Sequence, residues 1–425
     1  MTILDLSLAE RVEIHAGTKG FPVLAESVLV RDAGARGWSV PRDLRPPVML
    51  LHEAAIEHNL ALMAAFCRER EVDLAPHGKT TMAPQLWDRQ LRAGAWGISA
   101  ATVAQAAVMR AVGVPRILVA NEIVDAPSIA WVVEQLADPG FELLCYVDSL
   151  RGVSILQERL VALDASRRLR VLVELGHEGG RTGCRSVDEA LDVADAVRAA
   201  DRLELAGVSG YEGTIGDGRT VGSMAVVSGF LDRLRELGLA LIERGAVEGE
   251  MVVSAGGSIF FDVVADRLRE PWPAAADVRV VLRSGCYITH DDGMYERDSP
   301  FAGRDDPAQR FRSAIDVWST VLSQPEPGLA LLGFGRRDVS IDAGLPVPKS
   351  ARTPADDVIR VGGAMVVTRL NDQHAFCRID PDLRLDVGDL VACGISHPCT
   401  ALDKWRVIPV VDGELRVVDA IATFF

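Results

Sequence analysis

Leu74-Ala75-Pro76-His77-Gly78-Lys79-Thr80-Thr81-Met82-Ala83-Pro84 joins two kinds of pattern. Residues 72–75 form a short apolar run that predicts a strand. After Lys79 the apolar spacing turns helical, with Leu86, Trp87, Leu91 and Ala95 one and four residues apart. A lysine at the point where a strand gives way to a helix is where an α/β enzyme keeps a Schiff-base lysine. The chain has only four lysines, Lys19, Lys79, Lys349 and Lys404, and arginine carries nearly all the other positive charge. Arginine does not give up its proton, so chemistry that needs a neutral amine has few candidates. Lys79 alone lies inside the α/β part. Read by itself, such a lysine is more commonly a solvated side chain ahead of a helix.

Outward from this stretch the chain alternates. Buried-type runs at 48–51, 72–75, 97–101, 116–120, 143–147, 170–175, 205–210 and 251–255 predict strands. Between them, helical spacing covers 53–70, 84–93, 101–112, 127–137, 149–163, 187–199 and 221–244. Eight short strands alternating with helices predict a (β/α)₈ barrel. A doubly wound sheet is the competitor, but no dinucleotide-type glycine fingerprint follows the first strand. Near 278–288 helical spacing stops, and strand-like runs bounded by turn residues take over, at 314–322, 329–333, 358–369, 375–379, 389–394, 405–411 and 417–425. The expected organisation is an N-terminal extension at 1–45, an α/β barrel at 46–290 and an all-β domain at 291–425.

With 425 residues, nearly half of them apolar, the chain has material for two cores. A net charge of −15 argues against nucleic acid and anionic membrane as partners. Seven scattered cysteines without a Cys-x-x-Cys pair fit a reducing compartment. No signal pattern or spanning apolar run is present, so a cytoplasmic protein is expected.

Three constellations are candidates for chemistry. Ser254-Ala255-Gly256-Gly257-Ser258-Ile259 follows the last predicted barrel strand, and its amides suit a phosphate. Alone it is more readily a turn. Gly179-Gly180-Arg181-Thr182-Gly183 displays an arginine in a glycine-dense loop, and Tyr211 follows the next strand. A solvated arginine and a packing tyrosine are the bland alternatives. In the β domain, His397 and Cys399 are two apart and share a strand face, a pair that suits zinc, although His-x-Cys also arises by accident. His374 is a possible neighbour. His77 shares a strand face with Lys79.

Together these pieces resemble the fold-type III pyridoxal-phosphate enzymes, and within them the branch of D-serine dehydratase, D-threonine aldolase and bacterial amino acid deaminases. The resemblance rests on Pro76-His77-Gly78-Lys79-Thr80, Gly180-Arg181-Thr182-Gly183, Gly210-Tyr211-Glu212-Gly213, Ser254-Ala255-Gly256-Gly257-Ser258, Gly285-Cys286-Tyr287 and His397-Pro398-Cys399-Thr400. It implies that Lys79 binds pyridoxal 5'-phosphate covalently, with His77 beside it. It further implies that Arg181 meets the phenolic oxygen, Tyr211 lies against the ring, and Ser254, Gly256, Gly257, Ser258 and Ile259 hold the phosphate. His397 and Cys399 would bind Zn²⁺ or another divalent metal. Aldolases of the branch resemble the pattern but carry His-x-Asp. The implied reaction is dehydration and deamination of a β-hydroxy D-amino acid by a homodimer. A retro-aldol lyase is the rival; a racemase using Tyr287 or Tyr295, and a non-catalytic cofactor-binding protein, are remoter alternatives.

Overall fold

A computed structural model of the chain describes residues 2–216 and 218–425. It divides into two compact units, one of residues 64–79 and 90–285, the other of residues 1–63, 80–89 and 286–425.

The first unit is a parallel eight-stranded sheet: β1 (Asp73–Leu74), β2 (Ile98–Ala100), β3 (Arg116–Glu122), β4 (Glu142–Val147), β5 (Leu169–Leu175), β6 (Leu203–Gly210), β7 (Met251–Ala255) and β8 (Val278–Leu282). The hydrogen-bonded order runs β1, then β8 down to β2. A parallel bridge between His77 and Ser99 links the two ends, with the Ser99 amide donating to the Pro76 carbonyl at 2.9 Å. The sheet thus curls into an α/β TIM barrel. Its axis is filled by Ala75, Leu118, Leu144, Tyr146, Leu172, Ala206, Val252 and Val281.

Local chemistry fixes where each connecting helix starts. Thr102, Asp125, Ser149, Ser186 and Thr220 each accept an otherwise orphaned amide three residues on. At the opposite end of the barrel, strand-opening charges interlock: Arg116 and Arg170 share Glu142, while Arg279 joins Asp73 to Glu250.

The second unit holds the antiparallel sheet. Its path runs Val358–Ile359, Val347–Arg352, Leu390–Gly394, Ile315–Glu326, Leu329–Leu332, Ala375–Ile379 and Met365–Leu370. The described residues of the N-terminal extension pack within this unit. Ala9, Ile14, Phe21, Val28 and Val30 share a core with Trp318, Leu390, Val407, Val411 and Val417.

Two strand expectations change. Val48–His52 is not the first barrel strand; it pairs antiparallel with Ile315–Glu326 and parallel with Val407–Val411. Residues 48 to 51 are fully buried, and a run covered on both faces has no alternation to show which sheet it joins. The barrel takes its eighth strand from Val278–Leu282, at the point where the helical spacing ends. Lys79 therefore follows β1, Arg181 follows β5, Tyr211 follows β6 and the Gly256-Gly257 turn follows β7. Val347–Arg352 escapes a sequence reading because Pro348 and Lys349 suggest a loop; the strand takes its proline at a register irregularity. All seven cysteines are free thiols. Among the described residues, no helix is long and apolar enough to cross a membrane.

Candidate active site

In the barrel unit the sequence candidates lie at the carboxyl ends of the strands, where such barrels keep their sites. Lys79 is in a single tight turn, Gly78–Thr80, after β1. The Nδ1 atom of His77 is buried and has no hydrogen-bond partner among the described residues. Burial, reinforced by the charges of Lys79, Arg283 and Arg181, holds the imidazole well below its ordinary pKa, so the ring is neutral. The positive charges of Lys79, Arg283 and Arg181 that act on His77 suit an anionic, phosphorylated cofactor.

Arg181 stacks on Tyr211, its guanidinium carbon 4.3 Å from the ring centroid. Arg185 fixes the loop that presents Arg181. Its guanidinium donates to the carbonyls of Thr182 at 2.8 Å, Gly183 at 2.6 Å and Arg181 at 2.8 Å. Gly183 adopts φ +95°, and a Cβ there would lie 2.5 Å from the Gly176 nitrogen, so the hairpin admits only glycine.

The turn after β7 departs from the expected open cradle. Glu212 accepts both glycine amides, from Gly256 at 3.1 Å and Gly257 at 2.5 Å. The Ser254 hydroxyl is fully buried, donates to the Val281 carbonyl at 2.9 Å and accepts from Arg283 at 2.7 Å. Three of the five residues expected to present donors there are thus engaged by the protein. Ser258 and Ile259 follow, leading to the helix Phe261–Leu268, whose start has no side-chain cap. Arg219 anchors this end, donating to the Ile259 carbonyl at 2.5 Å and pairing with Asp262 at 2.7 Å. A Cβ on Gly257 would lie 3.1 Å from the Tyr211 ring, so this glycine makes room for the aromatic face. With Lys79, a neutral imidazole and a stacked Arg–Tyr pair in one mouth, the residues fit pyridoxal phosphate. Its phosphate would use the amides beyond Gly257, or displace Glu212.

Two acids in the barrel interior are not legible as a pair from sequence. Glu122 ends β3 and Glu174 lies near the end of β5. Burial first, and then the charge of Glu174, push the Glu122 carboxyl up to about 8. Among the described residues no donor from a third group reaches the carboxyl oxygens of Glu122 or Oε2 of Glu174. The pair therefore shares a proton at neutral pH. The folded chain holds this proton from near pH 4.5 up to about 8, while the unfolded chain releases it, so stability falls as pH rises through that window. Glu122→Gln is expected to remove the slope, which is at most about 1.4 kcal/mol per pH unit. Urea unfolding at pH 5 and pH 9 measures it; parallel pH profiles for the two proteins would refute the shared proton.

The β unit carries the other constellation. Cys399 lies 3.3 Å from the Thr80 hydroxyl, and its sulfur is 3.2 Å from that of Cys286. The hydrogen bond from Cys399 draws the Cys286 thiol down to about 6 against the effect of burial. His397 Nδ1 is 2.6 Å from Asp342 Oδ2. Among the described residues, no group of three or more His, Cys, Asp or Glu side chains is arranged to hold a metal ion. His397 has φ +66° and Cys399 lies in the tight turn Pro398–Thr400, so the two do not share a strand face as their spacing suggests. An imidazole with one nitrogen oriented by Asp342 and a thiol two residues on are still donor types that suit a borderline-soft divalent ion. His374 lies exposed in a hairpin turn.

Residues 314–411 match the family described as "Putative serine dehydratase domain". D-threonine aldolase of Arthrobacter sp is 28% identical, aligned over 85% of this chain and 90% of its own length. 3-Hydroxy-D-aspartate aldolase of Paracoccus denitrificans is 23% identical over 88% and 91% of the two chains. The crystal structure of D-threonine aldolase from Filomicrobium marinum superposes with a TM-score of 0.75 at 26% identity, covering 92% of this chain and 98% of that one. These likenesses support a fold-type III, D-serine dehydratase/D-threonine aldolase-like protein. The D-threo-3-hydroxyaspartate dehydratase from Delftia sp. HT23 shares the fold at a TM-score of 0.70 and 20% identity. Two further structures of similar fold are a histidine-to-alanine mutant of a D-threo-3-hydroxyaspartate dehydratase and a cysteine-to-alanine mutant in the metal-free form.

Within this D-serine dehydratase/D-threonine aldolase-like frame, the residues that sequence reasoning misses are those that support the candidates. Arg283, Glu212 and Arg185 hold the barrel-mouth loops, and Asp342 orients His397. A charge at the end of an apolar strand, as in Leu282-Arg283-Ser284, is the signal that points to such a role.

Proposed function

We propose that the chain is a pyridoxal-phosphate- and zinc-dependent lyase that converts a β-hydroxy D-amino acid to a keto acid and ammonia. Lys79 holds the cofactor and, once free of it, takes the α-proton of the substrate. Bound pyridoxal phosphate supplies the electron sink for the charge left on the α-carbon. Arg181 and Tyr211 fix the ring by charge and by face, and neutral His77 leaves the lysine without a further cationic neighbour. A divalent metal on His397 and Cys399 supplies a Lewis acid for the β-hydroxyl. Supporting that part are the imidazole oriented by Asp342 two residues from a thiol, and the histidine and cysteine mutants, one in the metal-free form, of a D-threo-3-hydroxyaspartate dehydratase of similar fold.

A second reading has specific support. Both sequence relatives named above are aldolases, which favours cleavage to glycine and an aldehyde. The two reactions share substrate class and cofactor and differ in which bond to the β-carbon breaks. Incubation with D-serine, D-threonine and D-3-hydroxyaspartate, with product identification, separates them. Keto acid with equimolar ammonia is the expected result. Glycine with an aldehyde would transfer the assignment to the aldolase, and no turnover on any of the three would end both.

A further inference from the structure

His397 has φ +66° and ψ 82°, a backbone conformation that a side-chain-bearing residue rarely adopts. The surroundings hold it there. Asp291, fully buried, accepts the His397 amide through Oδ2 at 2.8 Å, while its Oδ1 takes the amides of Gly293 at 3.0 Å and Tyr295 at 2.8 Å. Ser340 donates to the carbonyls of Ser396 at 3.1 Å and His397 at 3.2 Å. The main chain at this residue is therefore clamped from both sides.

The ring is clamped separately. Asp342 Oδ2 meets Nδ1 at 2.6 Å, and the other carboxylate oxygen accepts the Thr400 hydroxyl at 3.0 Å. A carboxylate against Nδ1 keeps the ring proton on that nitrogen and leaves the Nε2 lone pair available. A surface ion pair would need neither the constrained backbone nor a hydroxyl on the second oxygen.

We propose that Asp342 is a positioning residue: with Thr400 behind it, it holds His397 in the Nδ1–H tautomer so that Nε2 is presented as a metal-ligating atom. This rests on the metal reading made under the proposed function. It adds two residues to that reading and gives a physical reason for the strained histidine.

The test is zinc affinity of the cofactor-loaded chain, by competition with a chromophoric chelator after metal stripping. Asp342→Asn is expected to bind zinc about 10–100-fold more weakly, with the cofactor absorbance and the metal-free melting temperature unchanged. Asp342→Glu should recover part of the loss, and Thr400→Val should weaken binding in the same direction. Wild-type zinc binding that His397→Ala abolishes, with Asp342→Asn within about threefold of wild type, overturns the role of Asp342 alone. Wild-type chain that takes up no zinc, or binds it equally well as His397→Ala, overturns the metal reading and this inference with it.

Discussion

Lys79→Ala is expected to lower turnover by about 10³-fold or more and to abolish the visible absorbance of the lysine-linked cofactor. The size of the effect follows from the shortage of amines. Lys19 is bound to Asp338 at 2.5 Å and lies over the Trp405 ring; Lys349 pairs with Asp292 at 3.1 Å, and Lys404 with Asp403 at 3.5 Å. All three belong to the β unit, and Lys79 is the barrel unit's only lysine. Arginine is not a substitute, because it stays protonated. The alanine variant should still bind free pyridoxal phosphate weakly, through the remaining mouth residues. Small primary amines should restore part of the proton transfer without restoring the covalent link. Measurement is by absorbance after desalting and by single-turnover assay. Retention of the lysine-linked absorbance in the variant would show that a different amine carries the cofactor.

That Lys79 stands out from sequence alone has a physical cause, and so does what stays hidden. Alternating apolar runs and helical spacing are local, so the barrel and most of its helices are legible, with the caps at Thr102, Ser149 and Ser186 marking their starts. Sheet membership is not local. Val48–His52 reads like any buried strand, and only its partners place it in the β unit. Val278–Leu282 is obscured by Arg279, whose charge serves the ion pairs at the barrel base. At the site, residues of unusual type or spacing are visible: a rare lysine, a glycine-rich loop, a His-x-Cys. The side chains that hold them are not. Glu212 stands beside Tyr211 in one motif, yet its grip on Gly256 and Gly257 depends on loops 44 and 45 residues apart meeting. Asp342 lies 55 residues from His397, and Glu122 meets Glu174 only because β3 and β5 bring their ends together in one barrel.

Chelation, or Cys399→Ala, should separate metal from cofactor. Turnover on a β-hydroxy D-amino acid is expected to fall by about 100-fold or more, since a Lewis acid on a hydroxyl leaving group contributes several kcal/mol and each 1.4 kcal/mol is tenfold. Cofactor absorbance should not change, because none of the proposed cofactor residues is altered. The variant should fold: Cys399 is partly exposed, and its sulfur sits beside the Thr80 hydroxyl and the Cys286 thiol rather than inside an apolar core. Cys399→Ser keeps the shape and a polar atom but replaces a thiolate with a weak neutral ligand, so it should follow the alanine variant in metal content. Cys399→Asp tests more. It restores an anionic ligand and makes the His-x-Asp pattern that the resemblance attributes to the aldolases, so it should regain metal and move the product ratio toward glycine and aldehyde. A His397-x-Cys399 pair that only packs against Cys286 predicts something else: full activity in chelator, and equal activity in the serine and alanine variants. That outcome would leave the barrel mouth intact as a cofactor site and remove the metal from the reaction.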